Sequence, residues 1–396
     1  MTKDVIRVHQ DPRRLDGGAW DALLARQARP TPFMRHAYLA ALHTSGSAVP
    51  DSGWKPRFIS VERAGVLVGA VPAYLKSHSY GEYVFDWAWA DAYRRHGLAY
   101  YPKLLAAVPF TPVPGSRLLA VDDGVRRTLL QALIALAQQE DASSAHLLFP
   151  DDHEASLIGE SRQGSSRWLQ RQGVQFHWTR DAADPATDFA ALLARMQRDK
   201  RKKIQQERRR VADAGVKFST CEGAAISPAL WDFFYHCYGL TYAAHHSTPY
   251  LTRAFFAAMA QTMPEHWVMF VASRADQPIA VSLIAVDAQR GEAYGRYWGC
   301  TERVDCLHFD ACYYQPLSWC IANGYQRFEG GAQGEHKMAR GLLPVGTHSA
   351  HWLAHPQFSA AVDDFLRAER RGIAEYVDEL REHTPFKADS AAPTAD

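Results

Sequence analysis

The chain is poor in cysteine: six in 396 residues, at Cys221, Cys237, Cys300, Cys306, Cys312 and Cys320, with no C-x-x-C pair among them. That excludes a disulfide-stapled scaffold and a zinc ribbon, and it predicts reduced thiols in an intracellular setting. No stretch approaches ~18 uninterrupted apolar residues, so no transmembrane helix is expected. The opening MTKDVIRVHQDPRRLDGG is charged throughout and lacks the apolar core of a signal peptide. Neither sign of charge dominates, with 44 Lys and Arg against 43 Asp and Glu. This balance excludes a uniformly basic nucleic-acid coat and an acidic solvating chain. Also missing are a G-x-x-x-x-G-K-[ST] phosphate loop, a G-x-G-x-x-G dinucleotide turn and a G-x-S-x-G nucleophile elbow, which disfavours a P-loop NTPase, a Rossmann oxidoreductase and an α/β-hydrolase.

What is present suits a large folded core. Hydrophobic residues make up 47% and charged residues 22%, close to globular averages. The aromatic share is 12%, including 11 Trp and 17 Tyr, which fits either a large core or a shaped binding surface. At ~150 residues per domain, the length suggests two or three domains.

Three blocks recur in one order. Thr31-Pro32-Phe33-Met34 before Tyr38-Leu39 matches Thr248-Pro249-Tyr250-Leu251 before Phe255-Phe256. FISVERAGVLVGAVPAYLK (58–76) matches VMFVASRADQPIAVSLIAVD (268–287) as a hairpin pattern. Trp89, His96 and Tyr100-Tyr101 match Trp298, His308 and Tyr313-Tyr314. The blocks predict two copies of one mixed α/β unit. Each copy is expected to hold a helix after the Thr-Pro step, a strand meander, a helix around the Tyr-Tyr block, a further strand and a closing helix. VRRTLLQALIALAQQE (125–140) has helical periodicity and AHLLFP (145–150) reads as a buried strand. Residues 167–180 read as a short helix, a Gly stop and an exit strand. The polar, Pro-containing 181–188 segment places the junction, giving domains 1–182 and 183–386 and a disordered tail, 387–396.

The second copy opens on a predicted helix over 188–215, capped by Asp188 and stopped at Gly215. Within it, 198–210 holds eight basic and two acidic residues, so this segment carries the chain's excess positive charge. Its reading is a solvated face or an anion site, with Lys200, Arg201, Lys202 and Lys203 as phosphate contacts. Residues 358–380 form a second amphipathic pattern.

The densest chemistry is FEGGAQGEHKMARGLLP (328–344). A strand end opens into a glycine turn beside Glu329, Gln333, Glu335, His336, Lys337 and Arg340. Carboxylates and an imidazole can take a proton, while turn N–H groups and cations can hold an oxyanion, which together serve acyl transfer to an amine. The alternative is a capped loop whose polar groups satisfy one another. His308, Tyr313 and Trp298 could line the same cleft. His348, His351 and His355 would align on a helix as metal ligands, but 347–358 reads better as a strand, and no metal is expected.

The run E-G-G-A-Q-G-E-H-K-M-A-R-G, with H-F-D-A-C-Y-Y-Q, T-P-Y-L-T-x-x-F-F and D-K-R-K-K-I-x-x-E-R-R, resembles the FemAB-like predicted N-acyltransferases of peptidoglycan biosynthesis. The resemblance covers nearly the whole chain, and the Gly-Ala-Gln-Gly-Glu-His-Lys block is its specific part. It implies two tandem GNAT-like acyltransferase domains related by duplication. The implied reaction moves an acyl or aminoacyl group from acyl-CoA or aminoacyl-tRNA to a primary amine of a peptidoglycan precursor or a small metabolite. It further implies no tightly bound cofactor, tRNA as a candidate partner, and a cytoplasmic protein peripheral to the inner face of the membrane. In this frame Glu335, His336 and Glu329 are the catalytic candidates. Gln333, Lys337, Arg340, His308, Tyr313 and Trp298 would bind substrate. The sequence departs from the Fem enzymes, because strand-like VKFSTCE follows the basic helix where they insert a helical hairpin, and a CoA pyrophosphate loop is not evident. A non-catalytic GNAT-like module binding a peptide or glycopeptide is the competing class.

Overall fold

The apolar stripe of Leu129, Leu130, Leu133, Ile134 and Leu136 becomes the buried face of a helix, Asp123–Gln139. The Asp122 carboxylate caps it by accepting from the Val125 N–H at 2.8 Å, satisfying one donor that the first turn leaves open. The structure, a computed structural model, describes residues 3–160, 167–183, 185–332 and 334–387. It divides into two units that are not consecutive stretches of chain. The first holds 1–173, 250–255 and 346–375; the second holds 174–249, 256–345 and 376–396.

In the first unit, Val5–His9, Phe58–Arg63, Val66–Val71 and Leu119–Ala120 form one antiparallel sheet in that order. Trp54–Pro56, Ala73–Lys76, Lys103–Ala106 and Ser144–Leu148 form the other, with the last two strands parallel. Residues 349–353 then add antiparallel to Ser144–Leu148. Ile59, Val71, Leu104, Leu133, Leu147 and Trp352 share the core.

In the second unit, Val216–Glu222, Trp267–Arg274, Gln277–Asp287 and Glu292–Cys300 make an antiparallel meander. Arg327–Glu329 follows in parallel, and residues 177–179 pair antiparallel with its other side. Helix Pro228–Ala244 packs against the Glu292–Cys300 strand. A Cβ at Gly299 would fall 2.1 Å from the Cys237 carbonyl oxygen, so only glycine permits this approach.

Several sequence expectations change. The 188–215 helix is two helices, Phe189–Arg195 and Arg198–Asp213. Between them Met196 turns extended and pairs with Phe386, and the Gln197 N–H donates to Pro385 O at 2.8 Å. Tertiary pairing here overrides a continuous helical propensity. Residues 167–180 contain no helix; Leu169–Thr179 is one strand, with Phe176 and Trp178 buried. The hairpin blocks both form antiparallel strand pairs, and both Thr-Pro blocks precede a helix, through a 3₁₀ turn at Pro32–Met34 in the first copy and through coil and bend in the second. The Tyr-Tyr blocks differ: Tyr100-Tyr101 is non-helical, just before the Lys103–Ala106 strand, whereas Tyr313-Tyr314 ends a π-helical turn, Asp310–Tyr314. The C-terminal pattern is realised as a helix, Pro356–Glu382. Of the tail, all but Lys387 lies outside the described residues.

Candidate active site in the second unit

Two irregularities shape the site. The Glu292–Cys300 strand carries a bulge at Arg296: Leu283 pairs with Tyr297 while its neighbour Ile284 pairs with Gly295. The strand also meets Arg327–Glu329 only over residues 292–294. The second irregularity is the π turn itself. Such a turn inserts one residue into a helix and frequently marks functional positions. Here it joins the short Leu307–Phe309 turn to the Gln315–Ala322 helix.

The loop after Arg327–Glu329 is tightly fitted. A Cβ on Gly330 would lie 2.4 Å from Leu342 Cδ2, and the Gly330 N–H donates to Phe176 O at 3.1 Å. That N–H is therefore already occupied and does not face a substrate oxyanion. Gly334 sits at φ +116°, where a Cβ would fall 2.4 Å from the His336 ring. A left-handed residue without a side chain thus lets the chain enter the Glu335–Arg340 3₁₀ turn with His336 lying back over it.

On this turn, His336 Nε2 meets the Tyr313 hydroxyl at 3.2 Å. Its ring packs at 6.1 Å from Phe309, and His308 stands edge-on to Trp298 at 5.4 Å and to Tyr313 at 5.8 Å. The structure therefore brings Trp298, His308, Tyr313 and His336 together. His336 is held below the ordinary imidazole range, first by the protein around it and then by the Arg340 and Lys337 charges. His308 is exposed yet closely surrounded; desolvation, followed by His336, Arg340 and Lys337, lowers it to about 4. Both imidazoles are neutral at pH 7. Burial pushes the Tyr313 phenol well above its usual value, so it keeps its proton.

Lys337 is buried, and burial lowers it to about 8; its Nζ donates to Gly331 O at 2.9 Å. Arg340 is also buried. Its guanidinium lies 3.6 Å from the Phe309 ring centroid and donates to His336 O at 2.6 Å. It also pairs with Glu207 at 3.2 Å and 3.3 Å. Arg340 is thus a brace behind His336, joining the His336 carbonyl to the Glu207 carboxylate.

The carboxylates separate. Glu335 is exposed and accepts from the Tyr376 hydroxyl at 2.7 Å. Glu329 is buried, with Oε1 3.9 Å from His177 Nδ1. Gln333 lies outside the described residues. On the basic helix, Lys202 and Lys203 are exposed, Arg201 is half-buried and Lys200 lies 3.3 Å from Asp199. Among the described residues, no group of three or more His, Cys, Asp or Glu side chains could hold a metal ion, and no helix is long and apolar enough to cross a membrane.

The family model FemAB-like, described as peptidoglycan biosynthesis/recognition, matches residues 12–388. The chain belongs to this FemAB-like family. Among curated protein sequences, none matches it. FemX has a similar solved structure, with a TM-score of 0.53 at 10% identity, covering 91% of this chain and 100% of that one. So does L-PGS from Bacillus licheniformis, with a TM-score of 0.53 at 10% identity, covering 93% and 99%. This FemAB-like protein therefore shares its mixed α/β fold with FemX and L-PGS.

Sequence reading overlooked Glu207, Phe309, Tyr314 and Tyr376. Glu207 was findable: it falls between Ile204 and Val211 on the apolar stripe of the basic helix, and all three are buried. A carboxylate on a buried stripe signals a buried partner. Here the partners are Arg340 and the Tyr314 hydroxyl, which donates to Glu207.

Proposed function

We propose that this FemAB-like protein is an N-acyltransferase that moves an acyl or aminoacyl group from an activated ester or thioester to a primary amine. Glycine-turn geometry and flanking cations are shared by many loops. The observation carrying the proposal is the neutral His336 ring bonded to a protonated Tyr313 beside an accessible His308. With the His336 Nε2–H donating to Tyr313 Oη, Nδ1 has a free lone pair. The amine nitrogen attacks the carbonyl carbon, and its proton passes to His336 Nδ1. As the carbon–oxygen or carbon–sulfur bond breaks, the leaving group takes the Tyr313 hydroxyl proton, which the His336 Nε2–H replaces. The bound amine is converted to an amide and the donor to a free alcohol or thiol.

The acceptor class that fits the family is a peptidoglycan-precursor amine or a small amine metabolite. A donor carrying phosphates, acyl-CoA or aminoacyl-tRNA, fits the exposed Lys202 and Lys203. These follow Arg198 on a helix that also holds Glu207, the partner of Arg340.

The test is a mass-spectrometric screen of the purified protein with acyl-CoAs or charged tRNAs and a panel of amines. One donor class should yield an amide. His336→Asn should then lower kcat by ~10²–10⁴-fold, with donor affinity retained, and Tyr313→Phe should lower it less. Parent-level turnover in both variants would remove these residues from the reaction.

A further inference from the structure

The first unit carries an arrangement that the proposed chemistry does not use. Tyr80, Tyr83, Phe85 and Trp87 are exposed, at 57%, 37%, 52% and 43%, and Leu98 is exposed as well. Most of the exposed large aromatics of the described residues therefore lie in one run. The acids of that run do the opposite. Glu82 and Asp86, interleaved with the rings, are 5% and 3% exposed. Both carboxylates close on the buried Lys103 ammonium, which donates to Glu82 Oε2 at 2.7 Å, to Ser79 Oγ at 2.7 Å and to Asp86. The Tyr100 hydroxyl gives Asp86 another hydrogen bond at 2.7 Å.

A surface loop in water favours the reverse pattern, with acids out and rings in. Burying three charges carries a desolvation cost that only good pairing offsets. This loop bears that cost and leaves its rings, rather than its Glu82 and Asp86 carboxylates, in solvent. The helix that follows, Trp87–Arg95, adds Arg94 and Arg95, which share the single Asp91 carboxylate. The exposed charge beside the rings is therefore positive in excess.

We propose that residues 80–98 form a docking surface for an anionic lipid bilayer. Tyr and Trp rings settle at the headgroup level, where one end is apolar and the other wet. Excess guanidinium is attracted to anionic headgroups, and an exposed carboxylate would be repelled. The neighbouring Tyr80 and Trp87 rings are tilted by 59° to one another, so they offer no flat platform for stacking a sugar. A second copy of the chain seated on the same patch would set Arg94 and Arg95 against themselves.

The experiment is vesicle co-sedimentation of the full chain. Vesicles of phosphatidylglycerol mixed with phosphatidylcholine are compared with phosphatidylcholine alone, at low and at physiological salt. The wild-type protein should bind the anionic vesicles, less so as salt rises, and should bind the neutral ones weakly. Replacing Tyr83, Phe85 and Trp87 together by Ser should weaken binding ~10-fold or more. Because these side chains are exposed, the melting temperature should hold. Arg94→Gln with Arg95→Gln should remove the preference for anionic vesicles. If the triple variant does not fold, quenching of wild-type tryptophan fluorescence by brominated lipid replaces it, and an absence of quenching overturns the proposal. So does a wild-type protein that stays in the supernatant at low salt. Concentration-dependent self-association abolished by the triple variant would assign the patch to a second copy instead.

Discussion

Residues around His336 divide into those that touch the reacting groups and those that hold them. Arg340 and Glu207 belong to the second kind. Their side chains are 5% and 8% exposed, so removing one charge strands the other away from water. Glu207→Gln should cost ~3–5 kcal/mol in urea unfolding. A loss below ~1 kcal/mol would show the pair to be as weak as a surface ion pair. Lys337 acts on His336 through charge. Only neutral imidazole can take a proton, so activity should fall as pH drops through the His336 pKa, which lies below the ordinary value. Lys337→Met removes one of the two cations that lower it. The acid limb of the kcat profile should therefore move to higher pH, and an unmoved limb would show that Lys337 does not tune the base. Little of this division was visible in the sequence. Glu329, Glu335 and His336 looked interchangeable along the chain, and only the fold turns Glu335 toward Tyr376, Glu329 toward His177 and His336 toward Tyr313.

Among elements, the pairing of Ser144–Leu148 with residues 349–353 should be sensitive to acid. His146 and His351 face each other across it, Nδ1 to Nδ1 at 2.7 Å, and the Ser144 and Ser349 hydroxyls meet their outer nitrogens at 2.8 Å and 2.9 Å. Burial lowers His146 to about 3 and pushes His351 well below its usual value. Between about pH 6.5 and 3, therefore, the unfolded chain takes up protons that the folded strands refuse, and stability falls as the pH falls. The urea midpoint should be lower at pH 5 than at pH 7, and changing both histidines to Asn should flatten that slope. An unchanged slope would place the acid sensitivity elsewhere. Elements of this kind were largely legible. Strong period-3.6 and period-2 patterns gave Asp123–Gln139, Pro356–Glu382 and the two hairpins. The misreadings fell at Met196 and at residues 167–180, where the deciding partners are distant in sequence, and at Tyr100-Tyr101, which is non-helical. The π turn gave no signal, because its hydrogen-bond shift does not alter which residues are apolar.

At the scale of the whole molecule, the interleaving of the units outweighs any single contact. A fragment of residues 1–182 lacks 349–353, Trp352 and the helical residues Val362 and Leu366 that complete the first unit's cores. It should be soluble only as a loosely packed species, with a broad, non-cooperative melt. Adding a peptide spanning 343–382 should sharpen that melt, whereas a sharp transition in the fragment alone would show the first unit to be self-sufficient. The interleaving also bears on biosynthesis. A ribosome makes the N-terminal 173 residues and then most of the second unit before residues 346–375 emerge. At ~5–20 residues per second, the open edge of Ser144–Leu148 waits on the order of ten seconds or longer for its neighbour. Through that interval an unpaired strand next to a large apolar core is exposed to aggregation and to chaperones, so the yield of active protein should depend on translation speed more than on the stability of the finished fold.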